Sequence, residues 1–425
     1  MKRWTKEGLK EWKAKRQQDT SRQLDSVREI IRNVQTEGDE AVQAFTEKFD
    51  GTRLENFRVT SEEINDAYES LSQKYIDIIQ EAAINIRNFH EKQLPTSWFD
   101  TSENGTMLGQ KYTSIDRAGV YVPGGTAAYP SSVMMNIIPA QVAGVKRIVM
   151  VTPPGPNGHV PIGVLATAQI LGVTEIYKIG GAQAIAALAY GTETVPKVDK
   201  ITGPGNIFVA LAKKEVFGDV DIDMVAGPSE IAVLCDETAR AGEVAADLLS
   251  QAEHDTRSSS ICVTTSEAMA EEVEAEVEKQ LTHLPRKAIA RDSITEYGGI
   301  IVVQAMSEAV EAVNELAPEH LEIITANPYE QLGAVRHAGA IFLGPYSSEP
   351  VGDYFAGPNH VLPTSGTARF SSPLNVHDFM KKSSIISYSR QALEENVDKI
   401  ASFARLEDLE GHARAVEKRK ERFDG

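Results

Sequence analysis

From Gly119 onward the chain alternates short β-type runs with Ala- and Leu-rich stretches. That alternation limits the fold more than any other feature. Residues 119–122, 147–151, 175–179 and 198–201 are rich in β-branched side chains; each run ends in Gly or Pro and is followed by a stretch of helical composition. Strand–helix repeats at this spacing specify a parallel sheet covered by helices on both faces, which places one α/β domain at about 121–229. A second series follows, with strands expected at 231–235, 261–264, 300–303, 322–325 and 340–343. Residues 21–92 read as helices, with Gly38-Asp39-Glu40 as a stop and restart, and the pattern turns helical again after Pro373.

Composition narrows the class. A chain of 425 residues, 42% apolar and 24% charged, is ordinary globular material with ample sequence for large cores. With 43 basic against 61 acidic residues the net charge is −18, which disfavours nucleic acid and anionic membrane surfaces as partners. No run approaches the roughly 18 consecutive apolar residues of a membrane span. The charged stretch 1–18, with Trp4, Leu9 and Trp12 at helical spacing, lacks the apolar centre of a signal peptide. Cys235 and Cys262 each lie inside a β-type apolar run and read as reduced core residues, which suits a cytoplasmic location. The acidic stretch 266–280 is a solvated helix face.

Glycine-rich turns close the strands: Val122-Pro123-Gly124-Gly125-Thr126, Gly180-Gly181-Ala182-Gln183, Gly203-Pro204-Gly205-Asn206 and Ala226-Gly227-Pro228-Ser229-Glu230. Ligands of open α/β sheets bind outside the carboxyl ends of the strands, where glycine lets backbone come close and helix N-termini favour phosphate. One such turn is more often a plain connection; four in succession favour a nucleotide site. Neither the G-x-G-x-x-G fingerprint nor a P-loop is present, so such a site would be of an unusual type.

Four polar islands interrupt the apolar pattern: Gln251-Ala252-Glu253-His254, Pro318-Glu319-His320, Gly352-Asp353 with Gly357-Pro358-Asn359-His360, and His412. They hold four of the nine histidines. His, Asp and Gln are residue types that bind a borderline divalent metal without thiolate, and an adjoining Glu-His pair is what general acid–base chemistry needs. Gln251 and His254, three apart at the end of an amphipathic helix, point the same way, although a histidine on a helix is more often a satisfied packing or surface residue. Glu319 and His320, adjacent on extended chain, are expected to face opposite sides of a cleft.

At this point the motifs resemble a known family. Gly180-Gly181-Ala182-Gln183-Ala184-Ile185-Ala186-Ala187-Leu188, Ser250-Gln251-Ala252-Glu253-His254, Pro318-Glu319-His320-Leu321, and Gly352-Asp353-Tyr354 with Asn359-His360-Val361-Leu362-Pro363-Thr364 are similar to those of histidinol dehydrogenases, over about residues 27–412. That family oxidises L-histidinol to L-histidine with two NAD, at the end of histidine biosynthesis. The resemblance implies one zinc per subunit on Gln251, His254, Asp353 and His412, with the substrate completing the shell. It implies His320 as the general base and Glu319 as the activator of water for the second oxidation. Tyr121, Gln183 and Asn206 match positions that contact NAD. Ser229, His360 and Glu407 match substrate contacts, as do Gln251, His254, His320, Asp353 and His412. Glu410, close to His412, is a competing carboxylate to Glu407.

The fold so implied is two Rossmann-like, doubly wound α/β domains, one interrupted by the other, in a domain-swapped homodimer with shared active sites. The expected division is an N-terminal segment at 1–20, a first domain at 21–120 and 230–374 with the metal and catalytic residues, an NAD-binding domain at 121–229, and a helical segment at 375–425 that reaches the partner subunit. Two other readings use the same residues. One is a zinc/NAD dehydrogenase for another small polar alcohol such as a sulfonated diol, against which the retained Ser229, His360 and Glu407 argue. The other is a zinc hydrolase in which Glu319 works on water without NAD.

Overall fold

The computed structural model describes residues 1–5, 8, 9, 12, 20–124 and 129–423. The chain divides into two compact units, Met1–Gln93 with Ile115–Phe379, and Leu94–Ser114 with Met380–Gly425.

The first unit is α/β and holds two parallel sheets. With strands numbered along the chain, the larger sheet runs β1 (Lys2–Trp4), β11 (Gly299–Val302), β10 (Ser259–Thr264), β9 (Glu230–Cys235), β12 (His320–Ile324) and β13 (Ala340–Leu343). The smaller runs β6 (Ile176–Tyr177), β5 (Arg147–Val151), β4 (Arg117–Tyr121), β7 (Lys200–Thr202) and β8 (Asp221–Ile222). Every residue of β9 and β10 is buried, as a parallel strand covered on both faces must be. Alternate side chains serve opposite faces. Ile231, Val233 and Cys235 pack under the helices Ala241–Ala252 and Glu267–Leu281. Ala232, Leu234, Leu321 and Ile323 meet the helix Met306–Leu316 together with Leu9 and Trp12.

The smaller sheet is covered in the same way. Helices Ser61–Ser70, Pro130–Val142 and Ile162–Ile170 lie on one face. Helices Ser21–Glu37, Gly181–Tyr190 and Ile207–Val216 lie on the other. Val27, Ile30, Ile31 and Val34 recur at helical spacing and are buried, each contributing about 1.5–3 kcal/mol. The helix Ser61–Ser70 starts where Thr60 and Glu63 close a reciprocal capping box.

The second unit is a three-stranded antiparallel sheet, β14 (Met380–Ser387), β3 (Met107–Ser114) and β2 (Trp98–Thr101), with the helices Arg390–Leu406 and Glu410–Glu417. The longer helix buries Ala392, Val397 and Ala401. Its Ile400, Phe403 and Leu406 stay exposed, at 40%, 65% and 79%.

Several sequence expectations shift. The N-terminal stretch, expected to be helical, opens as β1, because β11 offers an open edge and Gly299 leaves room for the Trp4 ring. Leu9 and Trp12 are buried as core residues, and the Trp12 indole donates to the Tyr297 carbonyl at 3.1 Å. The segment after Phe379, expected to be wholly helical, begins with β14, which pairs along its full length with β3. Ser21–Glu37 packs over the smaller sheet, β4 is that sheet's central strand, and β2 and β3 belong to the second unit. Cys235 and Cys262 are buried and free, their sulfurs 3.7 Å apart, well beyond a disulfide bond.

Gly203, at the carboxyl end of β7, has φ +114°, and a Cβ there would sit 2.0 Å from the Tyr121 carbonyl oxygen. Left-handed backbone and contact with a strand end both forbid a side chain. Gly203→Ala is expected to destabilise the protein by at least about 1–3 kcal/mol, read as a lower urea midpoint; an unchanged midpoint would show that the β4 and β7 ends are not packed in this way.

Candidate functional site

The site is built on the pairing of β12 with β9, in which His320 lies opposite Ile231. That register sets Glu230 beside Glu319 and His320. The Glu230 amide donates to Glu319 Oε2 at 2.9 Å, and the Glu230 carbonyl accepts from His320 Nδ1 at 3.0 Å. A carbonyl can only accept, so Nδ1 carries the hydrogen and the neutral ring presents Nε2 as its basic nitrogen. Nε2 is buried without a hydrogen-bond partner. It lies 3.6 Å from Asp353 Oδ1, too long for a hydrogen bond, while Nδ1 is 3.8 Å from Glu319 Oε2. The two adjacent side chains therefore share one site; the expectation that they face different parts of a cleft is corrected. The reason is that Glu319 precedes the strand and turns back to the Glu230 amide.

Electrostatics follow from this enclosure. Burial pushes the Glu319 carboxyl up to about 8, against the pull of His320. Burial opposes the charged form of His320 too, but Glu319, Asp353 and Glu349 outweigh it and hold the ring at about 10. Burial would likewise raise Asp353, yet His320, His360 and His254 keep it below the usual carboxylate range. A cation on Asp353 would withdraw its pull on His320 and return the imidazole toward the neutral form that a base requires.

Asp353 sits on a π-helical turn, Gly352–Ala356. His320, Glu349 and Asp353 each bring a ligand atom within 4.8 Å of the others. Gln251 ends the helix Ala241–Ala252, is 0% exposed, and has neither amide atom hydrogen-bonded. An enclosed amide with both atoms unpaired is costly to a fold, so its environment fits a missing ligand. His254 follows two residues beyond the helix end and lines a cleft of about 340 Å³ with Tyr129, Arg286 and Tyr354. Asp353 and His360 line a larger cleft of about 680 Å³, and His360 Nε2 is enclosed without a partner. Ser229, Glu319 and His360 meet in a third recess of about 60 Å³.

The first unit thus brings together Ser229, Gln251, His254, Glu319, His320, Asp353 and His360. His412 and Glu407 lie in the second unit and are exposed. Glu410 is engaged by Arg405 at 2.8 Å and by Arg414 at 3.0 Å.

Tyr121, Gln183 and Asn206 gather at the carboxyl ends of the smaller sheet. The Tyr121 hydroxyl accepts from the Gly181 amide at 3.2 Å. Gln183 Oε1, Thr152 Oγ1 and Thr202 Oγ1 are buried without partners there. Asn206 has a structural task as well: its side chain accepts from the Phe208 and Val209 amides and caps the helix Ile207–Val216. Packing requires glycine at two positions of these turns: a Cβ on Gly180 or Gly124 would fall 2.5 Å from the Pro153 ring. Gly125 and Thr126 of the first turn lie outside the described residues.

Sequence reasoning missed the residues that hold the site in place. Glu230 acts through its peptide, and Glu349 had no motif to mark it. Lys213 and Asp223, 2% and 1% exposed, form a buried ion pair behind the third turn. Lys213 donates to the Gly203 carbonyl at 2.9 Å, and Asp223 accepts from the Gly203 amide at 2.8 Å and from the Met224 amide at 2.6 Å. The pair ties the turn that bears Asn206 to the segment that leads to Ser229.

A family model described as histidinol dehydrogenase matches residues 13–420. The histidinol dehydrogenase of Bacillus licheniformis is 66% identical over 405 residues, 95% of each chain. That of Bacillus subtilis is 65% identical over 404 residues, again 95% of each. The crystal structure of histidinol dehydrogenase from Elizabethkingia anophelis matches with a TM-score of 0.94 at 38% identity, covering 100% of this chain and 99% of that one.

Removing one half of the buried pair leaves an uncompensated charge. Lys213→Met is expected to cost about 3–5 kcal/mol in chemical denaturation, with the double variant Lys213→Met/Asp223→Asn recovering part of that loss. Equal stability of the two variants would show that Asp223 is not an isolated charge in the absence of Lys213.

Proposed function

This chain belongs to the histidinol dehydrogenase family, and from that premise we propose that it oxidises L-histidinol to L-histidine through the aldehyde, at one site, with zinc and NAD. The observation that carries the acid–base assignment is the Glu230 peptide, which holds Glu319 and His320 together and leaves His320 Nε2 free inside the site.

Gln251, His254 and Asp353 would hold the zinc from the first unit, with His412 supplied by a second subunit. The metal would bind the imidazole and amine of the substrate and so anchor what neither oxidation consumes. Tyr121, Gln183 and Asn206 would position NAD, which accepts the hydride in each half-reaction. His320 Nε2 takes the hydroxyl proton as the carbon loses hydride, giving the aldehyde. Glu319 takes a proton from the water that adds to the aldehyde while the protonated His320 returns its proton to the carbonyl oxygen, and the neutral His320 so regenerated takes the hydrate's proton as the second hydride leaves. Burial raises the Glu319 carboxyl and the Glu319 carboxylate favours the protonated form of His320, so the two groups titrate as a pair. Ser229, His360 and Glu407 would contact the substrate.

The homodimer follows from the same reading. The uncovered apolar stripe Ile400, Phe403 and Leu406 on the helix before His412 supports burial against another chain. No helix among the described residues is long and apolar enough to cross a membrane, and a biosynthetic role in the cytoplasm fits.

The first test follows NADH formation with L-histidinol and with the aldehyde. Two NADH per histidine are expected from the alcohol. His320→Asn is expected to slow both oxidations by roughly 10²–10⁴-fold. Glu319→Gln should impair aldehyde oxidation more than alcohol oxidation, because only the second half-reaction uses a water. Equal loss in the two halves would refute the assignment of Glu319.

Subunit sharing has its own test. His320→Ala and His412→Ala, each inactive alone, are mixed and allowed to exchange subunits. A heterodimer with shared sites has one site carrying both lesions and one carrying neither, so activity should return. Verified exchange with activity at background would place His412 in its own chain's site.

A further inference from the structure

We infer that Glu349 is a positioning residue for the metal: a carboxylate outside the coordination shell that fixes the helix end bearing Gln251 and balances the cation's charge. The inference rests on the zinc reading above.

Three observations carry it. Glu349 is 2% exposed, and its Oε2 accepts from the Ser250 hydroxyl at 2.7 Å, one residue before Gln251. Its own amide donates to Glu322 Oε1 at 2.7 Å, which locks the start of the turn that carries Asp353 to β12. The residue therefore joins two of the segments that supply ligands. Its carboxylate has an oxygen within 4.8 Å of ligand atoms on His320 and Asp353.

Charge is the second argument. Asp353 is the only anion among Gln251, His254, Asp353 and His412, so a divalent ion there keeps one positive charge. Around Glu349 the balance is reversed. Glu322 and Asp247, hydrogen-bonded to each other, crowd the same interior, where burial raises both carboxyls. Enclosed carboxyls so arranged repel one another and are unfavourable for a fold without a cation. The crowded carboxyls and the unpaired Gln251 amide fit a bound cation, and Glu349 is hydrogen-bonded both to Ser250 beside that amide and to Glu322. Groups that orient a metal's ligands from behind typically account for about 10–100-fold in metal affinity.

The test uses the full-length protein, stripped of metal and reloaded, in wild-type, Glu349→Gln and Ser250→Ala forms. Zinc affinity is measured by competition with a chromogenic chelator, and melting temperature is measured with and without zinc. Glu349→Gln keeps the size and a hydrogen-bond acceptor and removes the charge. It is expected to weaken zinc binding about 10–100-fold, to lower the melting temperature of the loaded protein, and to leave that of the metal-free protein unchanged or raised. Ser250→Ala keeps the charge, breaks the clamp and should shift zinc affinity in the same direction by less, an arm that stands even if Glu349→Gln does not fold. Unchanged zinc affinity, or an equal fall in melting temperature with and without metal, would show a purely structural glutamate. A wild-type protein that takes up no zinc would overturn the metal reading, and this inference with it.

Discussion

The chemistry of this chain hangs from the parallel pairing of β9 with β12. The register that sets His320 opposite Ile231 makes one peptide group, that of Glu230, the support for both Glu319 and His320. A slip of one residue would exchange the faces of the strand and send His320 into the apolar layer under the helix Met306–Leu316. Both strands are fully buried, so the alternation of apolar side chains resists such a slip over their whole length. The core and the site are specified by the same pattern: Leu321 and Ile323 serve one face, His320 and Glu322 the other.

Much of the fold was legible in the sequence because a parallel sheet leaves a strong record. Runs such as 231–235 and 261–264 are β-branched, apolar and closed by turn residues, and the structure has strands there. The misses have physical causes. Lys2–Trp4 is too short to show any period, and only a neighbouring edge and Gly299 make it a strand. Met380–Ser387 is mostly polar and exposed, so no apolar alternation announces it; its pairing with β3 depends on residues far away in the chain.

The site was legible where its residues are chemically distinctive and adjacent in sequence. Gln251 with His254, and Glu319 with His320, stand out against apolar surroundings. Glu230 did not, because its part is played by main-chain atoms that every residue carries. Lys213, Asp223 and Glu349 are ordinary charges until burial is known, and burial is a property of the fold. Asn206 teaches the converse: a residue matched to a cofactor position is also a helix cap, so its identity is explained twice. Four glycine-rich turns looked like phosphate cradles, yet Gly180 and Gly203 are demanded by the proline ring and carbonyl they touch.

The second unit is assembled from two pieces of chain that are nearly the whole length of the protein apart, Leu94–Ser114 and Met380–Gly425. During synthesis β3 leaves the ribosome early and must wait for β14, its partner along eight residues, until almost everything between them has been made. Closing so long a loop in an unfolded chain carries a large entropic cost. The first unit removes that cost when it folds, because the Ile115 amide meets the Phe379 carbonyl at 3.0 Å and brings the two exits of the chain side by side. The connectivity therefore favours an order of assembly in which the layered unit closes before the small sheet pairs. A unit assembled in this way cannot form on a partly made chain, because one of its two pieces is the last to be synthesised.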